Sequence, residues 1–334
     1  MPEPLRVAVV GRGFGLRVHV PALRSLPWVQ VAAVVGRDHS STVAEGQATA
    51  DPPPVVSVAD LVTMGLDAVT VAVPPSETLS VVRPLLESGL AVLIEKPLAA
   101  TLSDAEQLAV AGRNKSTAVG FEFRELETFR TLSCCLRARS VERLEVCWEA
   151  RSWDLFTQRW SWKLDQRRGG GVLPILGSHV LDLIEHVFGP ITSASAIPEA
   201  PAASAFAPRG SIAAADTVRV QGEVSGWLPF EVDLTLAADR KKHVWRVYCS
   251  DGTIFEARND SAGDWVAGFG LERTEGSRST TLARDPRVPG LDGRVAPFRA
   301  LAKRFLRATV AGSAFRPSFD DGLRVQQLLA DLTV

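Results

Sequence analysis

The chain has almost no net charge, few cysteines, no long apolar run and no internal repeat. Each lack removes a class of protein. With 37 Lys and Arg against 38 Asp and Glu, a formal net charge of -1, it has no general electrostatic attraction to nucleic acid or to other polyanions. Its four cysteines, Cys134, Cys135, Cys147 and Cys249, show no metal-ligand spacing, and an adjacent pair in a chain this long makes a poor disulfide framework. They read as reduced and structural, and no metal is expected. The apolar run at residues 7 to 10 is too short for a signal-peptide core, and no stretch approaches membrane-spanning length. A cytoplasmic protein without a membrane partner is expected.

What is present is 46% hydrophobic residues in 334, more chain than a single core usually holds, so two domains are expected. Strand-like Leu5 to Val10 runs into Gly11-Arg12-Gly13-Phe14-Gly15, followed by a helix-like segment from Leu16 to Leu26. A glycine-rich turn between a buried parallel strand and a helix lets the backbone approach a pyrophosphate, whose charge then meets the helix N-terminus. The third glycine of G-x-G-x-x-G would fall on Leu16, with an additional Gly15 before it. Taken alone, the turn fits either a dinucleotide site or an ordinary strand-to-helix connection.

The alternation continues through helix 41 to 47, a strand near Val55, helix 58 to 64, strand 68 to 73, helix 77 to 88, strand 91 to 95, helix 103 to 113 and strand 118 to 121. This predicts an α/β fold opening with a doubly wound parallel sheet. After residue 123 come long alternating segments at 141 to 152, 215 to 224, 230 to 237 and 243 to 249, suited to a second, α/β domain with an open, mostly antiparallel sheet. The expected domains are 1–123 and 124–334, with the final helix free to pack back on the first. Ser193 to Ala215 and residues 258 to 295 read as irregular connections. A helix near 296 to 310 sets Arg299, Lys303 and Arg307 opposite Phe298, Leu301, Phe305 and Leu306, a solvated basic face behind a packed one.

Where an acidic residue would bind the adenosine ribose, the second strand ends in Gly36-Arg37-Asp38. Arg37 can pair with a 2′-phosphate, which favours NADP over NAD, and Arg12 can add a phosphate contact or face solvent. Two further motifs, Val73-Pro74-Pro75-Ser76 and Glu95-Lys96-Pro97-Leu98, follow buried strands at the end where open parallel sheets bind ligands.

These motifs in this order, with His19-Val20-Pro21-Ala22-Leu23, the run Gly169-Gly170-Gly171, then Gly177-Ser178-His179-Val180-Leu181-Asp182 and Pro317-Ser318-Phe319-Asp320-Asp321-Gly322, resemble the Gfo/Idh/MocA oxidoreductases. The resemblance spans almost the whole chain. It implies a Rossmann domain and a substrate domain, NAD or NADP as cofactor, a sugar, cyclitol or related alcohol or carbonyl as substrate, and a homo-oligomer, dimer or tetramer. The expected cofactor-binding residues are Gly11, Arg12, Gly13, Phe14, Gly15, Arg37, Pro74, Glu95 and Lys96, and the resemblance implies Lys96 and His179 as the proton-transfer pair beside the nicotinamide. The family pattern has an aspartate four residues before the histidine, where this chain has Ile175. Asp182, Asp154 and Asp165 are the acids considered as substitutes.

Trp148, Trp153, Trp160 and Trp162 lead into the glycine run beside Arg151, Arg159 and Lys163. They suit stacking on a substrate ring or plain aromatic packing. Trp162, Lys163, His179 and Asp182 are the expected substrate contacts, and Arg124 faces either the cleft or a salt bridge. Two alternatives stay open: an imine or enone reductase, which an apolar Ile175 would suit, and a nicotinamide-binding protein without catalysis.

Overall fold

The computed structural model describes residues 3–36, 54–199, 201–259 and 266–333. Six strands, β1 (Leu5–Val10), β2 (Val29–Val35), β3 (Val55–Val56), β4 (Ala68–Val71), β5 (Ala91–Ile94) and β6 (Thr117–Val119), form one sheet in the order β3-β2-β1-β4-β5-β6. Every neighbouring pair is parallel. Strands such as Ala91-Val92-Leu93-Ile94 are apolar throughout because helices cover both faces. Helix α1 (Val20–Arg24) is entered through a wider π-helical turn at Gly15–His19, and α2 (Val58–Leu61), α3 (Pro75–Glu87) and α4 (Leu102–Gly112) make the later crossovers. The strand order reverses between β1 and β4, which opens a crevice at the carboxyl ends of those strands.

After a 3-10 turn at Glu122–Glu125 come α5 (Glu127–Leu136), β7 (Val141–Arg151), α6 (Trp153–Phe156) and α7 (Ser178–Phe188). Strands β8 (Ile191–Pro198), β9 (Thr217–Val224), β10 (Leu228–Thr235), β11 (Ala237–Cys249), β12 (Ile254–Asn259), β13 (Phe269–Glu275) and β14 (Arg278–Arg284) complete a second sheet with β7. Its order is β14-β13-β12-β11-β7-β10-β9-β8, antiparallel except where β7 meets β10. In β10, Leu228, Phe230, Val232 and Leu234 are buried while Pro229, Glu231 and Asp233 are exposed, so one face is packed and the other wet. Helices α5 and α7 cover the packed face. The wet face carries cross-strand ion pairs, Arg219 with Asp233 and Arg246 with Glu256, both at 2.7 Å.

The chain then returns to the first sheet. Helix α8 (Val295–Val310) buries Phe298, Leu301, Phe305 and Leu306 with Val7 and Val9 of β1 and Leu23 of α1, leaving Arg299 and Arg307 exposed and Lys303 half-buried. Helix α9 (Phe319–Asp331), capped by Ser318, packs on α4 and β6.

Three expectations need correction. Ser193 to Ala215 is not a plain surface connection, because its first part is β8, an edge strand whose small residues pair with β9. Its Ser, Ala and Pro content reads as loop, yet Pro198 stands at the end of an edge strand, where no ladder donor is needed. Within 258 to 295, β13 and β14 form a hairpin, with Gly276 supplying the positive φ of the turn. Residues Gln166–Phe188, helical in large part, are long and apolar enough to cross a membrane by length and composition, but two thirds of their apolar window is buried inside this fold. The expected helix at 41 to 47, with Arg37 and Asp38, lies outside the described residues.

Candidate active site

The glycine turn leaves β1 with a shape only glycine allows. Gly11 has φ +113, and a Cβ there would lie 2.2 Å from the Ala72 carbonyl oxygen at the end of β4. Two strand ends therefore meet at backbone distance. Gly13 is exposed, with nothing within 4 Å of where its Cβ would stand. The opening suits a pyrophosphate lying on the start of the following helix. Arg12 folds across the end of β2, its Cδ 1.9 Å from the place a Cβ of Gly36 would take. The residue expected to carry a ribose-binding carboxylate is thus a glycine covered by an arginine stem.

Two strands along, β5 delivers Glu95 and Lys96. The fully buried His19 holds Glu95: its Nε2 is 3.0 Å from Glu95 Oε1, its Nδ1 is 3.0 Å from Thr70 Oγ1, and its ring stacks on Phe298 at 3.9 Å. A neutral ring that donates from Nε2 to the carboxylate accepts at Nδ1 from the Thr70 hydroxyl. Lys96 Nζ donates to the backbone carbonyl of Ile175 at 2.7 Å. The lysine thereby bridges the first sheet and the π-helical turn at Leu173–Gly177 that runs into α7. Burial lowers the Lys96 pKa, against the pull of Glu122 and Glu95.

At the end of β6, Glu122 is 2% exposed. Its Oε1 lies 4.0 Å from His179 Nε2, and neither its Oε2 nor His179 Nδ1 has a hydrogen-bond partner. Burial first, and Glu95 second, push the Glu122 carboxyl up to about 8. Burial, with Lys96 adding to it, pulls the imidazole of His179 well below its ordinary range, so the ring is neutral at neutral pH. The ring is stacked on Phe123 at 4.5 Å. Arg294, gripped by Asp292 at 2.7 and 2.5 Å and set 4.8 Å from the Phe14 ring, adds its charge to the fields at Lys96, Glu122 and His179. Four segments distant in sequence so converge on one point: the end of β5, the end of β6, the start of α7 and the approach to α8.

Residues 5–123 match the oxidoreductase family with an NAD-binding Rossmann fold, and residues 142–255 match the GFO/IDH/MocA C-terminal domain. The chain belongs to the GFO/IDH/MocA family. It is an NAD(P)-dependent oxidoreductase. The uncharacterized oxidoreductase sll0816 of Synechocystis is 27% identical over 350 residues, 98% of this chain and 93% of that protein. The putative UDP-kanosamine synthase oxidoreductase subunit of Amycolatopsis mediterranei is 33% identical over 202 residues, 56% of this chain and 52% of that one. Among solved structures, the 3-ketoreductase KijD10 of Actinomadura kijaniata, in complex with NADP and TDP-benzene, superposes with a TM-score of 0.80 at 16% identity, covering 99% of this chain and 97% of that chain. Levoglucosan dehydrogenase in complex with NADH gives 0.82 at 15%, covering 99% and 96%. At these identities the structural likeness is one of fold.

Within this GFO/IDH/MocA chain the remaining expected site residues separate. Pro74, half-buried, immediately precedes α3. Trp162 is half-buried, and its backbone carbonyl lies against Gly170, where a Cβ would be 2.4 Å away. Lys163 is half-exposed, 3.7 Å from Asp154, and its charge is among those that lower Lys96. Trp148 is a core residue, 2% exposed and stacked on His243 at 3.9 Å, while Trp153 is 69% exposed. Asp182 departs from expectation. Its carboxylate takes Arg124 Nε at 3.0 Å and Nη2 at 2.6 Å, and Arg124 also reaches Asp321 at 3.2 Å. Asp182 is thus committed to an ion pair rather than paired with Lys96 or His179, and its burial pushes it up to about 6 against the pull of Arg124. Asp165 receives the Arg167 amide at 3.0 Å, and Asp154 receives the Ser161 hydroxyl at 2.8 Å. None of the three acids considered as stand-ins bonds His179. Sequence reasoning missed Glu122 and Arg294 as members of the site. For Glu122 a signal existed: a lone carboxylate between Phe121 and Phe123, straight after a buried strand.

Proposed function

We propose that this oxidoreductase moves a hydride between nicotinamide and a sugar, cyclitol or related alcohol or carbonyl, with Lys96 and His179 assisting the proton transfer. The carrying observation is the meeting of a lysine amine fixed 2.7 Å from the Ile175 carbonyl with an imidazole that burial keeps neutral. When bound, the nicotinamide supplies or accepts the hydride, and the chain's own residues manage the proton on the substrate oxygen. Lys96 has one N–H committed to Ile175 and others to offer a substrate oxygen, and its lowered pKa makes proton release easier than from a surface lysine. His179, neutral, can accept a proton on a ring nitrogen. A levoglucosan dehydrogenase and a putative UDP-kanosamine synthase subunit carry sugar-derived compounds in their names, which supports the substrate class. Replacing Lys96 by Ala should lower kcat roughly 100-fold or more on an identified substrate while cofactor affinity stays within about threefold. Near-normal turnover by that variant would remove Lys96 from the proton transfer.

NADP is the preferred form of the cofactor in this reading, because Gly36 carries no carboxylate and the Arg12 stem covers it. Arg12→Ala should then weaken NADP about tenfold, the ~1.4 kcal/mol of one charge-assisted contact, and leave NAD little changed. Titration of both cofactors into both proteins measures this; equal losses for NAD and NADP would contradict it. One observation favours a second reading, an imine or enone reductase: the half-buried Ile175 side chain offers a hydrocarbon surface where the family pattern has an acid. A panel of ketoses, cyclitols, enones and imines with reduced cofactor separates the two.

A further inference from the structure

Position 175 is an isoleucine, and the acid that faces His179 is Glu122, which follows β6 of the first sheet. Its Oε1 faces His179 Nε2 at 4.0 Å, and each partner keeps one buried atom, Oε2 and Nδ1, unbonded to any protein group. Buried polar atoms are almost always paired, so two orphans in one contact mark a place completed by something else. The distance is longer than a hydrogen bond. Sites without their ligands often hold such pairs slightly apart, to be tightened on binding.

We propose that Glu122 is the proton store of this oxidoreductase, a carboxylate while the bound nicotinamide is oxidised and a carboxylic acid once it is reduced. The inference rests on the reading above that the nicotinamide lies beside Lys96 and His179. In alcohol oxidation the C–H bond breaks with its electron pair leaving as hydride to the oxidised ring, which is thereby reduced. The O–H bond breaks with its proton passing to Lys96 or His179 and from there to Glu122, where a new O–H bond forms, and the substrate carbon and oxygen become a carbonyl. Carbonyl reduction runs the same steps backwards. The ring loses one positive charge and Glu122 loses one negative charge, so the net charge of the buried cluster does not change. That matters because a net charge change in a desolvated site is costly.

The groups facing Glu122 agree with a carboxyl poised between its two forms. Glu95 after β5 opposes ionisation; Lys96 beside it and Arg294 before α8 favour it; burial outweighs them and holds the proton on in the free protein. His179 on α7 is itself kept neutral by burial, Lys96, His243 and Arg294. On the same turn as Glu122, Arg124 is committed to Asp182 and Asp321, and Glu125 to Arg304. Neither is available to fix the charge of Glu122. A positive ring placed in this cluster favours the ionised form.

The test needs no substrate. Oxidised and reduced NADP are titrated separately into the full-length protein in weakly buffered solution near neutral pH, and binding heat and proton release are recorded together. The expected result is release of about one proton per chain with the oxidised form and little with the reduced form. Glu122→Gln should bind both forms and abolish the difference, and Glu122→Asp should restore it at least in part. If the wild type binds oxidised cofactor without releasing a proton, or Glu122→Gln releases as much as the wild type, the proposal is overturned. Should Glu122→Gln fail to fold, infrared difference spectra of wild type and Glu122→Asp decide: loss of a protonated carboxyl band on adding oxidised cofactor, moved in Glu122→Asp, supports the store, and an unchanged band sinks it. Failure of the sugar reading is a separate event. It would appear as absent turnover on sugars and cyclitols with the proton release intact.

Discussion

Two acid and histidine pairs flank Lys96, and they are finished differently. In the first, His19 touches Glu95 and Thr70 with its two nitrogens at 3.0 Å each and stacks on Phe298. In the second, His179 stacks on Phe123 in the same manner, but stands 4.0 Å from Glu122 with Nδ1 unbonded. Both histidines are buried, so burial alone does not separate scaffold from site. Saturation does. In the closed pair both imidazole nitrogens are spent, on Glu95 and Thr70, whereas the open pair keeps Glu122 Oε2 and His179 Nδ1 unbonded.

The largest expected effect comes from removing the open pair's charge. Glu122 in the folded chain keeps its proton up to about 8, while in the unfolded chain it releases it near the ordinary glutamate value. Between those two values the native state binds more protons, so wild-type stability falls as pH rises through that window and levels off above it. Glu122→Gln resembles the protonated acid and does not titrate. It should match the wild type at pH 5 and exceed it at pH 9, by at most about 5 kcal/mol from the size of the shift and by less where the ionised site relaxes. Urea unfolding of both proteins at the two pH values measures this, and parallel pH dependences would mean that Glu122 is not buried as an acid.

The histidines themselves break the comparison next. His19→Ala deletes a stacked ring and strands both Glu95 and Thr70, and should cost about 2 to 4 kcal/mol of stability. His179→Ala removes a ring with no hydrogen bond to lose; it should cost less stability and roughly 100-fold in turnover. Thermal melts and kcat on one preparation of each variant check the pair. If His179→Ala proves the less stable and the more active of the two, the distinction between closed and open pairs is wrong.

How much of this was legible beforehand follows from what each feature depends on. The strand-end motifs at Gly11, Pro74 and Glu95-Lys96 were readable because each is local: a buried strand stops and a residue type appears that only a turn or a cleft tolerates. Strands β8, β13 and β14 were not, since Ser, Thr, Ala and Arg become strand residues only when a neighbouring ladder pairs them. The partner of Asp182 was not legible because spacing along α7 fixes its angle to His179 but says nothing of Arg124, fifty-eight residues earlier, which takes its carboxylate. Glu122 went unassigned for the same reason. Its meaning lies in Glu95, Lys96, His179 and Arg294, which no window of sequence holds together.

The smallest effect concerns the two rings on which the histidines lie. Phe298 and Phe123 are both 1% exposed and stack on their imidazoles at 3.9 and 4.5 Å. Replacing either by Leu keeps a hydrophobic side chain and forfeits the aromatic contact, a cost of about 1 kcal/mol each. Melting temperatures should therefore fall by a similar few degrees, roughly 2 to 4 °C for a fold of this size. The pH dependence of kcat/KM should not fall alike. His19 is still gripped by Glu95 and Thr70 when Phe298 shrinks, so Phe298→Leu should leave the profile in place. His179 lies face to face on Phe123, with Trp148 tilted against it at 6.2 Å and no hydrogen bond at Nδ1, so Phe123→Leu should move the limb that reports their proton exchange. Equal profiles for the two variants would erase the difference between the pairs.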